Sequence, residues 1–252
     1  MMTTPAEVNT LSSAAAQASP RSSLRHPLTL AYLGLTFVTG LVDAASYLGL
    51  GHVFSANMTG NIVLLGFGIA KAGDLPLIAP LVSLFAFLAG AAAGGALAIR
   101  AGRRQKAHLH FALGLEFGCV AAAAIFSAFA HPHPATIAAG VVIALLALGM
   151  GIRNATVRRI SVPDLTTTVL TMTLTGLAAD SPLGGGSGAG TARRSSAVIA
   201  LLAGALVGAL LLKIGLTIVL ACGAASVLVT AAIYAGATLP DETARGAEKQ
   251  GG

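Results

Sequence analysis

Six apolar runs long enough to cross a bilayer alternate with two that are too short. A helix needs about 20 apolar residues to span the hydrocarbon core. The long runs cover roughly 28–51, 77–99, 108–130, 135–152, 196–213 and 215–239, and the short ones 58–70 and 165–179. Each short run opens on a polar, helix-breaking stretch, FSANMTGN from Phe54 to Asn61 and VPDLTTTV from Val162 to Val169. Most of the long runs lack the polar stripe that a water-facing helix carries. The pattern predicts an all-α polytopic membrane protein.

The basic residues decide how many runs cross. Arg21 and Arg25 precede the first run. Arg100, Arg103, Arg104 and Lys106 form a second cluster, Arg153, Arg158 and Arg159 a third, Arg193 and Arg194 a fourth, and Arg245 and Lys249 lie in the tail. If all eight runs cross, these clusters fall on both sides. If the two short runs are broken or re-entrant, every cluster falls on the cytoplasmic side, as loop lysines and arginines do. Six full transmembrane helices plus two short elements are therefore expected. Each half then crosses an odd number of times, which turns the second half over. Two inverted-topology repeats follow, 28–130 and 135–239, between disordered cytoplasmic tails at 1–27 and 240–252. Discontinuous helices in inverted repeats are the architecture of many secondary transporters.

The breaks hold the candidate site. An unwound segment inside a membrane survives only where it faces protein or a watery cavity. The first turn of the helix that follows has free N–H groups and a partial positive charge. Asn57, Thr59, Gly60 and Asn61 occupy the first break, and Thr166, Thr167 and Thr168 the second. Aligning the halves sets Asn154 opposite Asp43 and Thr59–Asn61 opposite Thr166–Thr168. Asp43 lies well inside the first run, where an ionisable group is costly and by default functional. It is the candidate for carrying a coupling proton or facing a cation. Glu116 is a second candidate relay group or a partner for His110. Arg153 is placed to neutralise Asp164 or Asp43, or to attract an anion. Asp164, after Pro163, also reads as an ordinary helix-opening residue.

Composition narrows the class. The chain is 55% hydrophobic and 10% charged, whereas a soluble domain is about 25% charged. The net charge of +6 sits in short loop clusters with few aromatics, which fits anionic lipid and argues against nucleic acid. Cys119 and Cys222 lie in apolar runs and suggest neither a disulfide framework nor a metal site. The stretch PLGGGSGAG is a linker, since no strand precedes it and no Gly-Lys-Ser/Thr follows. No nucleophile set or HExxH motif is present, so neither an enzyme nor a cofactor is expected.

Two blocks carry a family resemblance. Gly40-Leu-Val-Asp43-Ala44 followed by Val53-Phe54-Ser-Ala-Asn57-Met58-Thr59-Gly60-Asn61 is one. Gly151-Ile-Arg-Asn154-Ala155 followed by Val162-Pro163-Asp164-Leu-Thr166-Thr167-Thr168 is the other. Together they resemble the YoaK-like family of bacterial integral inner-membrane proteins, over nearly the whole chain from about Leu30 to Leu239. The resemblance implies about six spans and a multi-pass protein of the bacterial inner membrane, and it names no substrate. Arg153 stands where the resemblance leads one to expect glutamine. The expected function is a secondary transporter or permease for a small polar or anionic solute, with proton coupling through Asp43. The expected partners are the lipid bilayer, that solute and a second copy of the chain as a homodimer. The alternative is a non-transporting membrane scaffold or sensor acting through protein partners.

Overall fold

The computed structural model describes residues 27–73, 75–102, 105–160, 170–188 and 190–235. Among them are eight α-helices: α1 (Pro27–Gly49), α2 (Met58–Ile69), α3 (Ile78–Ala101), α4 (Gln105–Ala130), α5 (Ile137–Ile160), α6 (Leu170–Ala179), α7 (Thr191–Leu212) and α8 (Leu216–Ala235). Six of these are long and apolar enough to span a membrane. The 12 residues of α2 and 10 of α6 reach only about 18 and 15 Å at 1.5 Å per residue, short of a core of about 30 Å. The expected six long and two short elements are therefore present.

Glycine fixes which helices meet. A Cβ on Gly40 would lie 2.2 Å from Leu201 O, one on Gly204 2.0 Å from Phe37 O, and one on Gly208 2.8 Å from Leu41 O. Backbones this close tolerate only glycine, the device by which membrane helices pack without a hydrophobic drive. From Phe37 on Gly204 through Leu41 on Gly208 to Gly49 on Leu212 the numbers rise along both helices, so α1 and α7 run parallel. The same register recurs between α3 and α5. Gly151 would meet Phe87 O at 2.2 Å, Gly90 would meet Leu148 O at 2.2 Å, and Gly94 would meet Ile152 O at 2.8 Å.

The remaining contacts set directions. Gly34 lies against Thr230, and Gly49 against Leu216, so α8 runs antiparallel to α1. Thr217 donates to Ser127 at 3.3 Å, and Val120 lies against Gly223, so α4 also opposes α8. Gly149 sits on Cys119, and α5 opposes α4 across their short link. It follows that α1, α4 and α7 run one way and α3, α5 and α8 the other. Hence α1 ends on the face where α3 begins, and α5 ends on the face where α7 begins. A Cβ on Gly51 would lie 3.4 Å from Pro134, which puts the link after α1 and the α4–α5 link on one face.

The core lies where α1, α4, α5 and α8 meet. Val38, Leu41, Val42, Val120, Ile143, Leu146, Met150, Leu220 and Val227 are all buried there. Large apolar side chains face outward on α3 (Phe85, Leu88) and α7 (Ile199, Leu202, Leu206), the arrangement of a protein whose solvent is lipid. The expected end of the fourth long run near residue 152 is corrected, because α5 continues to Ile160. Arg153, Asn154, Arg158 and Arg159 read as a loop by hydropathy. They remain helical because arginine is a good helix former and Arg153 turns inward to a partner.

Candidate functional site

The break after α1 is built from polar side chains that bond its backbone. Helix α1 ends at Gly49, and the chain turns at Gly51, with φ of 107°, and His52, with φ of 55°. The chain then returns along α1, and Asp43, six residues before the helix end, receives it. Asp43 Oδ1 accepts from the Ser55 N–H at 2.9 Å and the Ala56 N–H at 2.8 Å. Asn57 caps α2, its Oδ1 accepting from the Gly60 N–H at 3.2 Å. The amide of Asn61 forms a two-bond clasp on Phe54. Its Oδ1 accepts from Phe54 N at 2.9 Å and its Nδ2 donates to Phe54 O at 2.7 Å. Ser83, buried on α3, also donates to Phe54 O, at 2.6 Å. Gly60 is small because the Phe54 ring lies over it, 2.8 Å from where a Cβ would stand.

A second polar cluster is buried deeper in the bundle. Arg153 pairs with Glu116, Nη1 to Oε1, at 2.9 Å, with the two side chains 1% and 0% exposed. The same Nη1 donates to Leu35 O at 3.1 Å, and Nη2 donates to Thr39 Oγ1 at 2.6 Å. Arg153 thus ties α5 to α4 and α1 together. Arg153 Nε and Glu116 Oε2 are buried without a hydrogen-bond partner. Thr39 and Asp43 are one turn apart on α1, so the two clusters adjoin along a single helix face.

The sequence-derived candidates divide on this geometry. Asp43, Asn57, Gly60 and Asn61 assemble around the first break. Thr59 is exposed on α2 and makes none of the bonds above. Glu116 pairs with Arg153 rather than with His110, whose ring lies on Tyr234 at 5.1 Å. Glu116 is also deeper than expected, because α4 starts at Gln105. Asn154 is half-buried on α5. Asp164, Thr166, Thr167 and Thr168 lie outside the described residues. Thr39, Ser55 and Ser83 were not singled out from the sequence. Ser83 alone had a visible signal, as one hydroxyl in the run PLVSLFAFL.

A family model described as a protein of unknown function, DUF1275, matches residues 31–233. The chain belongs to that family. The UPF0700 transmembrane protein YoaK of Bacillus subtilis (strain 168) is 33% identical over 153 residues, 58% of this chain and 64% of that relative. The matched stretch therefore spans less than two thirds of the relative's own length. No solved structure is significantly similar. In this DUF1275 protein both polar clusters lie within the matched residues. The YoaK likeness and the six long apolar helices identify a multi-pass membrane protein.

The two halves of the DUF1275 chain repeat each other in burial. From Ala31 to Ser46 and from Val142 to Val157, buried and half-buried positions follow the same order residue for residue. That register sets Asn154 at the position of Asp43, and Arg153 at the position of Val42. Gly223 contacts Val42, where Glu116 contacts Arg153 in the other half. The charged pair therefore has an apolar counterpart.

Proposed function

We propose that the protein is a secondary transporter or permease for a small polar or anionic solute, with Asp43 as the coupling group. In this reading the halves are inverted repeats of a bacterial inner-membrane protein, and both termini are cytoplasmic. It performs no covalent chemistry. One observation carries the reading. Three ionisable side chains lie within membrane-spanning helices, Glu116 paired with Arg153, and Asp43 one turn along α1 from Thr39, which Arg153 also holds. Charge at that depth is expensive and is kept where a path or relay needs it. With all three ionised the set carries one surplus negative charge, which a proton or cation balances on each cycle.

A scaffold or sensor has one observation in its favour. Asp43 and Asn61 are already engaged by backbone, as a purely structural break would be. Uptake by proteoliposomes across a panel of small neutral and anionic solutes, with and without an inward proton gradient, separates the two. The transport reading expects gradient-stimulated uptake of at least one solute, and loss of that stimulation in Asp43→Asn. A wild-type protein no better than empty vesicles for every solute leaves the scaffold.

A further inference from the structure

We propose that the carboxylate of Asp43 stands in for the anionic group of the solute, and that a proton on Asp43 frees its seat for a small monoanion. The inference rests on the transport reading and names the substrate class. The seat is the turn that leads into α2. The N–H groups of Ser55 and Ala56 converge on one carboxylate oxygen at 2.9 and 2.8 Å. Consecutive backbone N–H groups ahead of a helix form an anion-binding concavity. Here a side chain from α1 fills it.

A second observation points to a ligand. Ser55 Oγ is fully buried and has no hydrogen-bond partner, although its own N–H holds Asp43. A buried hydroxyl left unpaired costs free energy, and a ligand larger than one carboxylate oxygen would satisfy it. The frame beneath is rigid. Asn61 and Ser83 hold Phe54 from two sides, so the N–H groups stay aimed when Asp43 withdraws.

The charges around Asp43 allow the exchange. Arg153 on α5 bonds Thr39, one turn before Asp43 on α1, and is also bonded to Glu116 of α4. His52 lies in the link beyond α1. Helix α7 meets α1 at this level through Gly208, and α8 contains no Asp, Glu, Lys, Arg or His. A proton on Asp43 with a monoanion in the seat conserves the charge of the pocket. One proton and one anion thus move together. Asn154, at the equivalent position of the other half, carries no charge, so the exchange has one carboxylate.

The test is equilibrium binding to the purified full chain in detergent, with radiolabelled L-lactate in one arm and radiolabelled chloride in the other, at pH 5.5 and pH 8. The expected result is binding of at least one probe that weakens 10-fold or more at pH 8. Asp43→Asn is expected to bind that probe at least 10-fold tighter than wild type at pH 8, with no pH dependence, because nothing anionic competes for the seat. Lactate without chloride marks an organic carboxylate as solute, and chloride without lactate an inorganic anion. Wild-type binding equal at both pH values, Asp43→Asn binding weaker than wild type, or no binding of either probe overturns the proposal. If Asp43→Asn does not fold, Ser55→Ala takes its place, and an unchanged affinity at pH 5.5 overturns it. Gradient-driven uptake of a neutral solute by a protein that binds neither anion would sink this inference and leave the transport reading standing.

Discussion

Arg153 is a full charge at a position whose counterpart in the other half, Val42, is apolar. A buried ion pair is weak as a source of stability, because desolvating two ions offsets most of their attraction. Removing one partner is different, since it strands the other. Glu116→Ala and Arg153→Met should each destabilise the protein by about 3–5 kcal/mol, and the double variant by clearly less than the sum of the singles. Thermal unfolding in detergent, read as a double-mutant cycle, checks this. Additive losses would mean that the 2.9 Å contact is not an energetic unit. Glu116 could be found in the sequence as an ionisable residue in an apolar run, and Arg153 as one at the end of another. Their pairing could not, because 37 positions separate them and only the packing of α4 on α5 brings them together.

At the scale of the element, the helices meet through glycine rather than through large side chains. Gly40, Gly90, Gly151 and Gly204 each face a carbonyl oxygen at 2.0–2.2 Å from a would-be Cβ. Alanine at any of these forces two helices apart, an overpacking cost of about 1–3 kcal/mol. Gly95, Gly114, Gly118 and Gly140 have nothing within 4 Å, and alanine there should be neutral or stabilise by up to about 1 kcal/mol through helix propensity. A panel of eight single Gly→Ala variants, ranked by unfolding temperature in detergent, should separate cleanly into these two groups. Mixed ranks would break the proposed α1–α7 and α3–α5 register. The sequence placed the apolar runs to within a few residues, because hydropathy and length suffice for that. It did not tell the contact glycines from the bare ones, since both kinds sit in equally oily surroundings. It also ended α5 early, because hydropathy counts Arg153 as exposed wherever it points.

For the whole molecule, the question is on which face each link emerges. The basic clusters argued for six full crossings from charge alone, and the helix directions reach the same number from packing contacts that involve no charge. The decisive pair of links flanks α2. If α2 crossed the membrane, His52 and Lys71 would emerge on opposite faces, and α3 would run parallel to α1. The contacts instead make α3 parallel to α5 and α5 antiparallel to α1, which returns Lys71 to the face of His52. Single cysteines at His52, Lys71, His133 and Lys213, in a background where Cys119 and Cys222 are replaced by serine, should all react with a membrane-impermeant maleimide from one side. Cysteines at Gly102, Arg158 and Ser187 should react only from the other. The side that labels Gly102 should be the cytoplasm, because the Arg100–Lys106 cluster belongs next to anionic lipid. Labelling of His52 and Lys71 from opposite sides would mean that α2 spans the bilayer. The turn that holds Asp43 would then open to one side only, and the proposed alternating access to it would have no structural basis.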